Sequence, residues 1–279
     1  MATGSVRLGC VPEHFSAPLL YAAERGDLEG VELTLFGTGD MIQRVASGEL
    51  DAAICVTEGL VAGIGKQAAD GLRLCGTYVE SALPWAVSVS TEAKFCTLDD
   101  LAFGAKFGIS REGSGSEVMA RYAASEYEWK APQFAVLGNV DGLVAGVQSG
   151  AADAFLWERT TMQRHYALDK VRYLGTVRPP WPAFSFGALL PFARDRMPQL
   201  ADAVRRAVHA FMVELPEDRR LAYVCDRLGY APADARLWMD SVAFADPASV
   251  DHARIAKVVA ALSRAGAMPE MDTAEIVAQ

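Results

Sequence analysis

The sequence predicts an α/β protein of two similar lobes, each a mostly parallel sheet flanked by helices, with a ligand cleft between them. Three observations carry this. A helix–turn–strand unit occurs twice, about a hundred residues apart. Short apolar runs alternate with helical patterns along the first two thirds of the chain. Two apolar segments are placed to carry the chain from one lobe to the other and back.

The first copy of the repeat runs from Met41 to Glu58 and the second from Leu143 to Glu158. Both place Val at the fifth position, Ser-Gly at the seventh and eighth, and Asp-Ala at the eleventh and twelfth. The front of each is helical, with apolar residues four apart, Met41 with Val45 and Leu143 with Val147. Gly48 and Gly150 fall where a helix stops, since glycine takes a left-handed conformation without a Cβ penalty. Asp51 and Asp153 mark the turn. The apolar runs Ala52–Val56 and Ala154–Trp157 read as buried parallel strands. Residues just past such strands lie where open α/β sheets bind ligands, which singles out Thr57-Glu58-Gly59 and Glu158-Arg159-Thr160. The match is short, and coincidence of two common helix–Gly–strand turns is the competing account.

In chain order, Val6–Val11 is a strand that Pro12 ends. Ser16 caps a helix over Leu19–Arg25, with Pro18 early, where its missing N–H costs little. Gly26 stops it. Val31–Phe36 alternates as a half-buried strand does, and Gly37-Thr38-Gly39-Asp40 opens the next helix. That loop suits an anion or a ligand's polar edge; Asp40 itself reads as the cap. Gly59–Gln67 is a helix whose spaced glycines imply close packing. Leu72–Val79 is a strand, Glu80–Trp85 the first crossing, and Ala86–Val89 the strand after it. Thr97 or Asp99 caps a short helix. Lys106–Ser110, the loop Arg111–Ser116 and the helix Glu117–Ser125 then point backbone donors and two hydroxyls at one spot. Plain helix capping by Ser114 or Ser116 would also explain the loop. Phe134–Leu137 is a strand, and Gly138-Asn139-Val140-Asp141 leads into copy two. Lys170–Thr176 is another strand. In Arg178-Pro179-Pro180-Trp181-Pro182, the prolines stiffen the chain around an indole that either walls the cleft or packs on its own lobe. Ser185–Pro191 is the return crossing. Four amphipathic helices follow, over Gln199–Val213, Pro216–Leu228, Pro232–Val242 and Ala253–Ala265, and they dock on the first lobe. Met271–Gln279 is expected to be loosely held. The lobes are therefore 1–85 with 186–279, and 86–185.

A net charge of −9 argues against nucleic acid or an anionic membrane surface as partner. The five cysteines show no CxxC and no zinc spacing, so neither metal nor cofactor is expected. The odd count suits a reducing compartment. The N-terminal residues show no charged or apolar leader segment. The expected location is cytoplasmic as the sequence stands, and periplasmic or extracellular for a form whose leader has been removed.

Together, Val11–Ser16, Gly37-Thr38-Gly39, Ser47-Gly48-x-x-Asp51 leading to Thr57-Glu58-Gly59, Gly108-Ile109-Ser110 with the Gly113–Ser116 loop, Phe155–Glu158 and Pro180-Trp181-Pro182 resemble the type 2 periplasmic-binding-protein superfamily. The likeness is to its nitrate/sulfonate/taurine and thiamine-precursor branch, near members that lack an export signal. The resemblance implies two lobes, two hinge crossings, and a small molecule held by hinge closure. For an exported form, an ABC-transporter permease is the implied partner. By position, the residues implied at the ligand are Glu13, His14, Phe15, Thr38, Gly39, Thr57, Glu58, Ser114, Gly115, Ser116, Trp157, Glu158 and Trp181. A site with three carboxylates suits a cation or a ligand with several N–H donors better than a bare sulfonate or nitrate. The alternative for each Glu is a surface charge or a partner for Arg111 or Arg159. The function so implied is a non-catalytic solute binder or sensor. The competing reading is a cytosolic enzyme on the same fold, a menaquinone- or pyrimidine-biosynthesis-like lyase or synthase using His14 with Glu58 or Glu158. A degenerate binding domain serving as a partner surface is the third.

Overall fold

Both copies of the repeat adopt one geometry in the computed structural model, which describes residues 4–278. The strands are β1 (Val6–Cys10), β2 (Val31–Leu35), β3 (Ala52–Val56), β4 (Leu72–Val79), β5 (Trp85–Val89), β6 (Lys106–Ile109), β7 (Gln133–Val136), β8 (Ala154–Glu158), β9 (Arg172–Val177) and β10 (Phe184–Leu189). The helices of the first two thirds are α1 (Ala17–Arg25), α2 (Thr38–Ala46), α3 (Thr57–Gly65), α4 (Gly115–Glu126), α5 (Val140–Gln148) and α6 (Arg159–Ala167). They are followed by α7 (Leu190–Asp195), α8 (Met197–His209), α9 (Glu217–Leu228), α10 (Pro232–Ser241), α11 (His252–Arg264) and α12 (Thr273–Ile276).

In copy one, α2 is followed by Ser47 and then Gly48, whose φ of 74° is left-handed, before β3; in copy two, α5 is followed by Ser149 and Gly150, with φ 76°, before β8. The repeated aspartate has a definite task. The Arg7 N–H donates to Asp51 Oδ2 at 2.8 Å, and the Asp51 N–H donates to the Arg7 carbonyl at 2.9 Å. In copy two the Lys106 N–H donates to Asp153 Oδ2 at 2.7 Å, and the Asp153 N–H returns to the Lys106 carbonyl at 2.7 Å. Each aspartate thus fixes the start of the repeat's strand beside its parallel neighbour, β1 in one sheet and β6 in the other.

The sheets have matching order, β2-β1-β3-β10-β4 and β7-β6-β8-β5-β9. The first three strands of each are parallel, and the fourth runs antiparallel to both neighbours. The reversed strands, β5 and β10, follow the two crossings; the return crossing is residues 178–183, ahead of the expected Ser185–Pro191, most of which is β10 itself. Each crossing is tied down by the equivalent backbone donor: Thr57 N–H to the Ala183 carbonyl, and Arg159 N–H to the Pro84 carbonyl, both 3.0 Å.

Side-chain alternation divides the core. Val87, Val89 and Leu156 join a large cluster that continues through the first sheet, while Ala86 and Phe155 face a smaller one with Leu143, Val147 and Met162. This is the period-2 pattern of a strand buried on both sides. The glycines of α3 pack closely as expected: a Cβ on Gly59 would meet Thr38, and one on Gly63 would meet Ile42, both on α2. At Gly76 in β4 an added Cβ would collide with the Pro247 carbonyl oxygen, a backbone atom that cannot swing aside. Gly76→Ala is expected to cost about 1–3 kcal/mol by overpacking, measured as a lower urea midpoint. An unchanged midpoint would mean the 247 loop yields freely.

Four sequence expectations are corrected. Ser16 holds the cap position of α1 as expected, but its side chain does not cap: a single 3-10 turn over His14–Ser16 precedes the helix, and the Ser16 hydroxyl donates to the Glu13 carbonyl. Asp40 is not the cap of α2, which starts two residues earlier with Gly37 at the cap position. The C-terminal helices do not rest on the first lobe alone. While α8 packs on α1, α10 packs on α6 and α11 lies against both α3 and α4. Periodicity marks an apolar face but not its partner. Finally, the C-terminus is held: α12 carries an Asp272/Glu275 capping box, Ile276 is fully buried, and Ala278 N–H donates to the Leu74 carbonyl at the edge of β4. Gln279 lies outside the described residues.

Candidate functional site

The ends of equivalent strands face each other across a cleft of about 560 Å3. Its walls come in pairs. Val11, Pro12 and Glu13 after β1 oppose Ser110 and Arg111 after β6. Gly37 and Thr38 at the start of α2 correspond to Asn139 and Val140 at the start of α5. Val56 ends β3 as Glu158 ends β8. Leu83 and Trp85 of the first crossing, with Trp157, supply apolar surface, and Thr161 and Arg164 of α6 complete one side.

Of the sequence-predicted residues, Glu13, Thr38, Ser114, Gly115, Ser116, Trp157 and Glu158 line this cleft. The Ser114 hydroxyl caps α4, accepting from Glu117 N–H, and lies 3.0 Å from the Ser116 hydroxyl. The capping account therefore holds for Ser114 while it also faces the cleft. Ser116 Oγ accepts from Ser110 N–H at 3.2 Å, which ties the loop to the end of β6. Gly115 sits close to its neighbours: a Cβ there would come 3.1 Å from the Trp85 ring and 3.2 Å from the Val56 side chain.

The other six do not line it. Thr57 and Glu58 grip the return crossing. The Thr57 and Ser185 hydroxyls are 2.8 Å apart, and Trp181 Nε1–H donates to Glu58 Oε2 at 3.0 Å with both side chains fully buried. Trp181 is packed within the fold rather than forming a cleft wall. The reason is visible in the repeat: with Asp51 matched to Asp153, the counterpart of Glu158 is Val56, and Glu58 falls two residues further on, opposite Thr160. Gly39 lies beneath the Arg111 guanidinium, which covers it from the opposite lobe. Phe15 faces a different cavity. His14 is fully buried behind the wall. Its Nδ1 is 3.0 Å from the Tyr230 hydroxyl, its Nε2 has no hydrogen-bond partner, and Glu158 Oε1 stands 3.9 Å away. Tyr230 also reaches Thr161 Oγ1 at 3.2 Å, so one phenol joins His14 to α6.

The electrostatics are uneven. Burial, reinforced by the neighbouring Glu158 carboxylate and partly offset by the Trp157 indole, pushes Glu13 up to about 8. Glu158 has both oxygens engaged, accepting from Thr160 N–H at 2.8 Å and Thr161 N–H at 2.6 Å as the cap of α6. Burial lowers the His14 pKa, against the pull of Glu158, which favours a neutral ring. At the rim Arg111 stands 3.9 Å from Asp40 across the cleft.

The residues that sequence reasoning missed, Asn139 and Val140 among them, are the repeat partners of Gly37 and Thr38, 102 positions on. That shift could have found them. Arg164 left no comparable signal, because nothing in the repeat marks which face of α6 meets the cleft.

Residues 85–177 match a protein-family model described as Ca3427-like PBP. Among solved structures, the Candida albicans CA3427 gene product, described as defining a new family with the generic periplasmic binding protein fold, is 26% identical. The match covers 96% of this chain and 92% of that one, with a TM-score of 0.86. The periplasmic aliphatic sulphonate binding protein SsuA from Escherichia coli is 15% identical, over 99% of this chain and 92% of that one, with a TM-score of 0.72. The alkanesulfonate-binding protein SsuA from Xanthomonas axonopodis pv. citri, bound to MOPS, is 13% identical, over 95% of this chain and 94% of that one, with a TM-score of 0.75. No curated protein matches the chain. The chain has the type 2 periplasmic-binding-protein fold. No helix among the described residues is long and apolar enough to cross a membrane.

Proposed function

We propose that this chain binds a small polar organic molecule in the cleft and closes over it by a hinge motion, as a non-catalytic solute binder or sensor. The two bodies are 1–85 with 186–279, and 86–185, and the crossings near Leu83 and Ala183 are the hinge. The observation that carries the reading is the pairing of strand-end loops from both sheets around one cavity that has Glu13 and Glu158 on its wall. Fold alone would not carry it. Those carboxylates, with Trp85 and Trp157 beside them, favour a ligand that offers a cation or several N–H donors on a flat apolar body. For an exported form, an ABC permease is the partner this reading implies. The enzyme reading on His14 has less support, because the ring lines no part of the cleft and its Nδ1 is occupied by Tyr230.

The test is native mass spectrometry of the purified protein, followed by thermal shifts across amines, amino-substituted heterocycles and alkanesulfonates. A ligand at a hundred times its Kd adds about 2.7 kcal/mol to stability. Glu158→Gln and Trp157→Ala are each expected to weaken that ligand about tenfold or more, since a hydrogen bond to a charged group contributes about 1.5–3 kcal/mol and a flat ligand loses its stacking surface. A protein that carries no bound mass and responds to no compound would end this reading.

A further inference from the structure

A second cavity, of about 440 Å3, shares Glu158 with the cleft but has otherwise different walls. Ser81 and Pro84 belong to the first crossing, Arg178 opens the second, Arg159 and Thr160 start α6, and α10 closes the cavity with Leu237 and Trp238. It lies at the hinge.

Its chemistry is rich in donors. Arg159 Nε and Trp238 Nε1 are buried with no hydrogen-bond partner among the described residues. A buried donor left unpaired costs about 1–3 kcal/mol, so two on the wall of one cavity point to an acceptor supplied from outside. Neither Arg159 nor Arg178 makes an ion pair among the described residues. Among the described residues, carboxylates number two on this wall, Glu158 and Asp234. Both oxygens of Glu158 already serve as the α6 cap, so the N-terminus of that helix is not itself a free anion site. Beside the Ser81, Thr160, Gln163 and Ser241 side chains the wall is apolar, with Phe15 and Trp238 buried and Leu237 61% exposed.

We propose that this hinge-side cavity is a second ligand site, for a small organic anion with a ring-sized apolar body. The anionic group pairs with Arg178 and accepts from the Arg159 and Trp238 N–H groups, and the apolar body lies between Leu237, Trp238 and Phe15. The site stands independently of what the main cleft binds. Where the hinge reading also holds, the two sites are coupled, because an occupant here touches both crossings, α6 and α10. Such coupling is reciprocal.

The test uses benzoate as probe, with benzyl alcohol as its uncharged counterpart, titrated into isotope-labelled full-length protein and followed by NMR. Benzoate is expected to shift the Trp238 indole N–H and the Ala82 and Leu237 amides most, along one saturating curve, with any shift at Gly115 and Asn139 of the main cleft smaller and following that same curve. Arg178→Ala and Leu237→Glu, both at exposed positions where folding is undisturbed, are each expected to weaken benzoate about tenfold, the size of one charge-assisted hydrogen bond. Benzoate shifts confined to the main cleft, or no saturation up to its solubility limit, would overturn the site. So would unchanged affinity in both variants. Benzyl alcohol binding as tightly as benzoate would overturn the anionic assignment.

Discussion

Trp181→Ala is expected to destabilise the fold by about 3–5 kcal/mol, the range for truncating a buried large aromatic side chain. The indole is fully buried, and it does more than fill space. Its ring meets Tyr122 of α4 edge-on, with centroids 4.8 Å apart, and its N–H is the hydrogen bond given to Glu58 on α3. The return crossing is therefore held to helices on both sides of the cleft by one side chain. Removing it leaves a cavity and also deprives Glu58, whose Oε1 already has no partner, of its remaining side-chain donor. Trp181→Phe separates the two effects. It keeps most of the ring volume, so its cost should reduce to the orphaned carboxyl, about 1–3 kcal/mol. Urea denaturation of the three proteins reads both numbers. If the alanine variant lost less than the phenylalanine range, the crossing would be anchored elsewhere.

The duplicated unit was the most legible part of the chain, because the constraints on it are local. A left-handed stop needs Gly48 and Gly150, and an aspartate that receives an N–H near the start of the neighbouring strand must sit at one position. The cleft was legible as far as that register was followed. Matching Asp51 to Asp153 pairs Val56 with Glu158 and Gly37-Thr38 with Asn139-Val140, and the cleft uses all of them. Reading acidity in place of register pointed to Glu58, which the fold uses to hold Trp181. Three other features depended on contacts between distant segments. The burial of His14 comes from Tyr230 and Trp238, more than two hundred residues downstream. The docking of α10 and α11 across both lobes is not encoded in their periodicity. The pinned C-terminus depends on an open sheet edge at β4, which no local pattern of Met271–Gln279 announces.

Stability is expected to fall as pH rises from about 6.5 to about 8. Burial raises Glu58 from 4.5 to about 7 and Glu13 from 4.5 to about 8. Between the unfolded and folded values the native protein holds protons that the unfolded chain has released, so each added pH unit favours unfolding; above the folded values the slope from these two acids vanishes. Below 6.5 an opposing contribution enters. Burial lowers His14 and His165, so the unfolded chain takes up protons there that the folded one refuses, and stability rises with pH. The acids act alone between that point and about pH 8, above which ionisation of thiols in the unfolded chain extends the decline, because burial raises Cys10 and Cys55 in the folded state. Glu58→Gln with Glu13→Gln should flatten the decline in thermal midpoint, with little change near pH 5, where both side chains are protonated in the native state. Affinity should move the other way. A cationic ligand requires Glu13 ionised, so its binding should strengthen with pH up to about 8, by at most tenfold per unit for one proton released. Calorimetry at pH 7 in buffers of different ionisation enthalpy counts that proton directly. Release of none by the wild type, or an equal release by Glu13→Gln, would remove Glu13 from the ligand's contacts.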